Sequence, residues 1–241
     1  MLKEFTNQTT WRSSYHSLKR MARALQGRDL WQGVQTQCQQ LWLGNEGARW
    51  CICPEGLSAA STIYSCGVGK DISFDVDLIR RLGVSVHAFD PTPECVAWIH
   101  KQALPPGFIF HDYGIADFDG HSQFMPPENP EHVSHTILQS ASRGPGIEVP
   151  VHRLKTIMST LGHEQVDLLK MDVEGAEYSV LADLLHCGLA VKQILVEFHH
   201  RWPEVGVRKT QRAIVALNRA GYKIFYVSPG GEEYSFQRTD C

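Results

Sequence analysis

The chain has 241 residues, 43% hydrophobic and 10% aromatic, enough for one large α/β domain with or without an N-terminal appendage. A formal net charge of -3 and a pI near 6.4 leave no whole-chain basic footprint for nucleic acid. Met1-Leu2-Lys3 leads into polar residues, with no apolar leader region and no run long enough to span a bilayer, so a cytoplasmic protein without a membrane partner is expected.

Residues 11–43 read as helical. Leu18, Met21 and Leu25, then Leu30, Val34, Cys38 and Leu41, recur at helical spacing around a break near Gly27. A loop with Gly44, Gly47, Pro54 and Gly56 then separates an N-terminal helical cap (1–57) from the main domain (58–241). From there strand and helix patterns alternate: strand 61–66, helix 72–82 stopped by Gly83, strand 84–89, helix 94–103 and strand 108–111. Residues 118–147, rich in Pro, Gly, His and Ser, read as an irregular excursion that suits a lid or substrate loop. Strand 166–171, helix 176–186, strand 193–198, helix 208–220 and strand 223–227 complete the alternation. After Pro229-Gly230-Gly231, residues 233–237 form a hairpin partner for the preceding strand. The expected architecture is α/β: a mainly parallel seven-stranded sheet with a C-terminal antiparallel hairpin and helices on both faces.

Seven cysteines are scattered along the chain, and Cys51-x-Cys53 has no second pair or nearby His at metal-ligand spacing. Reduced thiols are expected, with no structural zinc.

In such a sheet ligands bind beyond the carboxyl ends of the strands. The first such end carries Gly67-Val68-Gly69, where glycine lets the backbone take positive φ and approach a ligand closely; a plain tight turn reads the same way. Asp71 suits an N-cap, or contact with a cofactor carrying an amino acid group. Asp90, about twenty residues downstream, fits an acid that accepts hydrogen bonds from ribose hydroxyls, or an Asx turn before Pro91. Beyond the third strand, Asp112 is a candidate acceptor for an adenine amino group and Tyr113 a candidate cover for its face, with core packing as the plainer role of Tyr113.

The most specific string is Asp167-Leu-Leu-Lys-Met-Asp172-Val-Glu174-Gly-Ala-Glu177. Clustered carboxylates repel, so three in six residues at a strand end call for a reason beyond packing. Glu177 suits the first turn of the next helix, where its charge complements the dipole. Asp172 and Glu174 are assigned to function.

On these residues the chain resembles the FkbM family of methyltransferases. The resemblance runs through Ser65-Cys66-Gly67-Val68-Gly69-Lys70-Asp71-Ile72-Ser73-Phe74-Asp75, Ala88-Phe89-Asp90-Pro91-Thr92, Leu169-Lys170-Met171-Asp172-Val173-Glu174-Gly175-Ala176-Glu177 and Val196-Glu197-Phe198-His199, spanning about residues 61–228. It implies a Rossmann-like methyltransferase fold and S-adenosylmethionine as cofactor, bound by Gly67, Gly69, Asp71, Asp90, Asp112 and Tyr113. The implied reaction moves its methyl group to a hydroxyl oxygen of a small metabolite or sugar. Two positions depart from the wider methyltransferase pattern: Ser65 stands where an acid is usual, and Asp71 where a third Gly is usual.

Such a transfer needs the nucleophile aligned behind the methyl group and its proton removed. Asp172 or Glu174 at the fourth strand end, and His199 or His200 past the fifth, are the candidates, and Asp172, Glu174 and His199 are taken as catalytic. Histidine has the pKa for proton transfer near neutrality, and His200 reads as the surface loop residue of the pair. A divalent metal on Asp172, Glu174 and His199 is an alternative that spacing alone does not support, and no metal is assigned. Competing readings are an NAD(P)-dependent oxidoreductase, disfavoured by the imperfect Gly fingerprint, and a non-catalytic protein that binds the cofactor. The acceptor and the oligomeric state are not written in the sequence.

Overall fold

The structure is a computed structural model that describes residues 19–125 and 146–239. The strands of the central sheet are β3 (Thr62–Cys66), β4 (Ser85–Phe89), β5 (Phe108–His111), β9 (Val166–Met171), β10 (Val191–Glu197), β11 (Tyr222–Val227) and β12 (Glu233–Arg238). Among the described residues these seven lie in the order β11-β12-β10-β9-β3-β4-β5. The pairs β3·β4, β3·β9, β4·β5 and β9·β10 are parallel. β12 runs antiparallel to both its neighbours and inserts between β10 and β11. The sheet thus reverses once, at its C-terminal hairpin, as expected from the turn at Pro229-Gly230-Gly231.

Alternation along the strands sorts side chains onto two faces. Tyr64, Leu169, Met171, Ile194 and Val196 pack on one face against α3 (Leu154–Leu161), α4 (Glu177–His186) and α5 (Val207–Arg219). Ile63, Leu168, Leu195 and Phe225 face the other way, onto Phe74 and Leu78 of α1 (Ser73–Leu82). Ala88 and Phe108 meet Cys95 and Ile99 of α2 (Pro93–Ile99). Every residue of β9 is buried, as a strand covered on both faces requires. Gly83 ends α1 in the left-handed region at φ 68°, its N–H donating to the Ile79 carbonyl.

Three expectations change. The helical reading of 11–43 holds for residues 19–25 and fails over 30–40; residues 11–18 lie outside the described residues. There the Gln35 and Thr36 N–H groups donate to the Ile224 carbonyl, and the Gln35 side chain accepts from the Ile224 N–H, so β11 supplies the partners a helix would have supplied itself. Val34, expected on the apolar stripe, is more than half exposed. Second, the supposed loop after residue 43 holds half of a hairpin, β1 (Leu41–Leu43) with β2 (Trp50–Ile52). Its Leu43, Cys51 and Ile52 are completely buried against the second face of the sheet, in one core with Ile63 and Leu78. Third, the 118–147 excursion contributes β7 (Gly120–Phe124), which pairs with β8 (Ile147–Arg153) and, across it, β6 (Gly114–Ala116) in a small second sheet. The strand was hidden because β7 is half-exposed and polar, Gly-His-Ser-Gln-Phe, with no apolar alternation to read. The rest of the lid expectation, residues 126–145, lies outside the described residues.

The six described cysteines are free thiols. No helix among the described residues is long and apolar enough to cross a membrane.

Candidate active site

The carboxyl ends of β3, β4, β9 and β10 open into one cavity of about 270 Å³. Gly67, Gly69, Asp71, Asp90, Asp172 and Glu174 all line it, so two halves of the sequence, a hundred residues apart, face the same space. They meet at a backbone joint. The Gly67 N–H donates to the Phe89 carbonyl, and the Asp172 N–H donates to the Cys66 carbonyl. A Cβ at Gly67 would sit 1.7 Å from the Asp172 carbonyl oxygen, and its φ is +73°, so only glycine fits. The buried Lys170 amine ties the joint further, donating to the Gly67 carbonyl at 2.6 Å and lying over the Trp50 ring.

At the glycine turn, Asp90 accepts the Gly69 N–H at 3.0 Å through Oδ2, and the Thr92 N–H and hydroxyl at 2.9 and 2.6 Å through Oδ1. The Asx turn and the cavity-lining position therefore coexist: one oxygen braces the turn before α2, while the other holds the glycine loop. Asp71 is engaged locally, accepting the Ser73 N–H at 2.8 Å at the start of α1, which keeps its carboxyl below the usual range against the opposing pull of burial. Asp112 is exposed and, like Tyr113, is not among the residues lining the cavity. Tyr113 packs instead against Phe89, His111 and His152, and the cavity wall on that side is Gly114 and Ile115. The chain turns at Tyr113 so that its ring joins the aromatic group on the α3 face.

Asp75, which the sequence reading quoted without a role, lines the cavity from α1 and is 2% exposed. Its Oδ1 has no hydrogen-bond partner in the described structure. Burial pushes its carboxyl up to about 6, with the Ser65 hydroxyl beside it and the Lys170 charge pulling the other way. Where the wider pattern has an acid at position 65, this chain has Ser65 and brings a carboxylate from the helix instead.

On the other side the structure brings Asp172, Glu174 and His199 together. Asp172 follows β9, and Glu174 stands two residues on with φ 49°, the one non-glycine residue with positive φ among the described residues. His199 lies just past β10. Its Nε2 is 3.2 Å from Glu174 Oε2, 3.9 Å from Asp172 Oδ1 and 4.0 Å from Glu197 Oε1. Behind it, fully buried Glu177 takes the His199 backbone N–H at 3.1 Å and Nδ1 at 3.3 Å on one oxygen, and the Gly175 N–H at 2.8 Å on the other. Glu177 thus has more to do than complement a dipole.

The expectation of a histidine titrating near neutrality is overturned. Burial alone would lower its pKa, but the Glu174 and Glu177 carboxylates outweigh burial and hold it at about 11, so His199 is an imidazolium at neutral pH. Burial, then the Asp172 charge, pushes Glu197 up to about 9, and Asp172 is raised by burial as well. His200 is also no surface residue. It is 1% exposed and its Nε2 is 3.0 Å from Asp29 Oδ1, in a cluster where Arg201 also binds Asp29. An N-terminal aspartate, invisible to local spacing, is what buries it.

Lys170, Glu197, Glu233 and Trp50 also line the cavity and were given no role in the sequence reading. Lys170 left one signal, a positive charge in a largely apolar strand, which survives burial only with partners. Trp50 left none, since its strand was read as loop.

A family model described as the Methyltransferase FkbM domain matches residues 59–224. The chain is similar to the probable methyltransferase-like protein 24 of Homo sapiens, 28% identical over 156 residues that cover 64% of this chain and 36% of that protein. It is likewise similar to the protein of the same name from Rattus norvegicus, 25% identical over 175 residues, 68% of this chain and 42% of that one. The chain therefore spans less than half the length of these curated relatives. Among solved structures, a methyltransferase FkbM from Methylobacillus flagellatus KT aligns with 75% of this chain and 44% of its own at a TM-score of 0.46 and 13% identity.

Proposed function

The chain belongs to the FkbM methyltransferase family, and from that premise we propose that it transfers a methyl group from S-adenosylmethionine to a hydroxyl oxygen of a small metabolite or sugar. The observation that carries the choice of cofactor is the charge of the cavity. Seven acidic side chains line it (Asp71, Asp75, Asp90, Asp172, Glu174, Glu197 and Glu233), of which Glu197 is held protonated at neutral pH, against three basic side chains (Arg49, Lys70 and Lys170). Two of those acids, Asp75 and Asp172, each hold a buried oxygen without a hydrogen-bond partner in the described structure. Such a wall suits a ligand carrying an ammonium and a sulfonium. It opposes the pyrophosphate of a nicotinamide dinucleotide, which wants free N–H groups and little negative charge.

In this reading Asp75 takes the ammonium of the methionine end, and Asp90 takes the ribose on the lone pairs left beyond Gly69 and Thr92. The Gly67–Gly69 turn lets the backbone approach closely. When bound, the cofactor supplies an electrophilic methyl group on sulfur. Asp172 accepts the proton of the acceptor hydroxyl, its Oδ1 having no other partner in the described structure. His199, already protonated, holds Glu174 and orients the acceptor oxygen rather than acting as a base.

Calorimetry with S-adenosylmethionine and with NADH tests the reading. S-adenosylmethionine should bind and NADH should not; the reverse pattern would refute it.

A further inference from the structure

We propose that Asp172, Glu174 and His199 form a binding site for one divalent transition-metal cation, Mn²⁺ or Zn²⁺ in preference to Mg²⁺ or Ca²⁺. One ligand atom from each of the three lies within 4.8 Å of the other two. Metal bonds of about 2.0–2.2 Å place neighbouring ligand atoms roughly 3.0–3.5 Å apart. Here Nε2 already stands 3.2 Å from Glu174 Oε2 and 3.9 Å from Asp172 Oδ1, so small side-chain rotations close the set.

Two independent features point to a ligand rather than to a loose group of acids. The first is the histidine's support. Glu177, with no exposure, receives Nδ1 and leaves Nε2 as the nitrogen turned to the carboxylates. A carboxylate behind a histidine, fixing its tautomer, is the usual outer support of a metal-binding imidazole. Glu177 is itself held by the Gly175 and His199 N–H groups, so the ring has little freedom. The second is the buried Asp172 Oδ1, which faces Nε2 and has no hydrogen-bond partner in the described structure. Such an oxygen costs free energy unless something in the assembled state satisfies it.

The charge balance agrees. Asp172 and Glu174 flank a single imidazole, while the buried Lys170 amine is directed at the Gly67 and Cys66 carbonyls. Two carboxylates and one imidazole mix hard oxygen with borderline nitrogen, which favours Mn²⁺ or Zn²⁺ over cations that prefer oxygen alone. Three protein ligands leave coordination positions open, and Asp172 and Glu174 line the cavity. Binding of the cation stands on this geometry alone. Its use would be to hold the acceptor oxygen as a Lewis acid in place of the imidazolium, the cation displacing the His199 Nε2 proton and leaving the second Asp172 oxygen as the base; that use rests on the methyl-transfer reading above.

The test is a titration of the chelator-treated full chain with MnCl₂, followed by the loss of the free Mn²⁺ paramagnetic resonance signal, and with ZnCl₂ by calorimetry. One equivalent should bind. Asp172→Asn and His199→Ala should each abolish that site, and Glu177→Gln should weaken it about 10- to 100-fold, the usual cost of losing an outer support. Glu94→Gln, on the exposed Lys70 pair, should bind as the parent does. Circular dichroism of each variant separates lost binding from lost folding; if His199→Ala unfolds, Asp172→Asn decides. No uptake of either ion by the folded parent, or uptake retained by folded Asp172→Asn, overturns the proposal. Both readouts are taken without S-adenosylmethionine, so the site and the methyl-transfer reading can fail separately.

Discussion

Replacing Asp75 by Asn should stabilise the protein and weaken cofactor binding at once. The carboxyl is buried beneath the glycine turn, and its pKa rises from an ordinary 3.8 to about 6. Between those values the folded state keeps a proton that the unfolded state has released, so stability falls as pH rises through that window and stays lower above it. At 1.36 kcal/mol per pH unit, the difference amounts to roughly 3 kcal/mol above pH 6. Asn has the same shape and no charge. The variant should therefore gain up to about 3 kcal/mol above pH 6, roughly 6–12 °C in Tm for a chain of this size, and the gain should vanish below about pH 4. Urea unfolding of parent and variant over this pH range reads it directly. Meanwhile, losing a charge-assisted hydrogen bond of about 1.5–3 kcal/mol should weaken S-adenosylmethionine about 10- to 100-fold in calorimetry at pH 8. A gain independent of pH would refute the burial argument, and unchanged affinity would refute the assignment of the ammonium to Asp75.

Gly67→Ala should lose more than about 2 kcal/mol by urea unfolding, because the new Cβ collides with the Asp172 carbonyl and φ is positive; a neutral result would mean the joint can open. Asp29→Ala leaves buried His200 and Arg201 without their shared carboxylate, and should lose about 3–5 kcal/mol in the same assay. A loss under about 1 kcal/mol would show that the cluster reorganises with water. Asp172→Asn should lower kcat by at least about 100-fold on an identified acceptor while cofactor affinity holds; a near-parental kcat would remove Asp172 as the base.

The central sheet was legible because its strands and helices carry their own periodicities. Residues 166–171 are apolar enough to be read from either face, and Gly83 and the Pro229-Gly230-Gly231 turn mark ends that the structure respects. What failed was whatever depends on a distant partner. Leu30, Val34, Cys38 and Leu41 keep helical spacing, yet the backbone there is satisfied by β11, nearly two hundred residues away. His200 looked like a loop residue because Asp29 is as remote. At the site the same division holds. That Asp172, Glu174 and His199 come together was readable from strand ends, since a strand delivers its terminal side chains to one edge whatever else the chain does. The protonation of His199 was misjudged, because its pKa is set by Glu174 and Glu177 together, and only the fold brings Glu177 behind the ring. Asp75 escaped because a helix position carries no strand-end signal.

On the proposed function, the geometry between cofactor and acceptor would be set by the backbone joint of Gly67 and Asp172 before it is set by side chains. Gly67 stands where its own N–H bonds to the end of β4, while the neighbouring Cys66 carbonyl takes the Asp172 N–H at the end of β9. Lys170 adds a charge-assisted bond across the same joint. A shift of the glycine turn must move the Asp172 backbone with it, since no side chain lies between them to absorb the change. Transfer in line with a sulfonium tolerates little displacement, and a misplacement of about 1 Å can cost 100-fold in rate. Substitutions at this joint should then lower kcat even where cofactor still binds. Substitutions at Asp90, which braces the turn from the other side through Gly69, should be felt first in affinity.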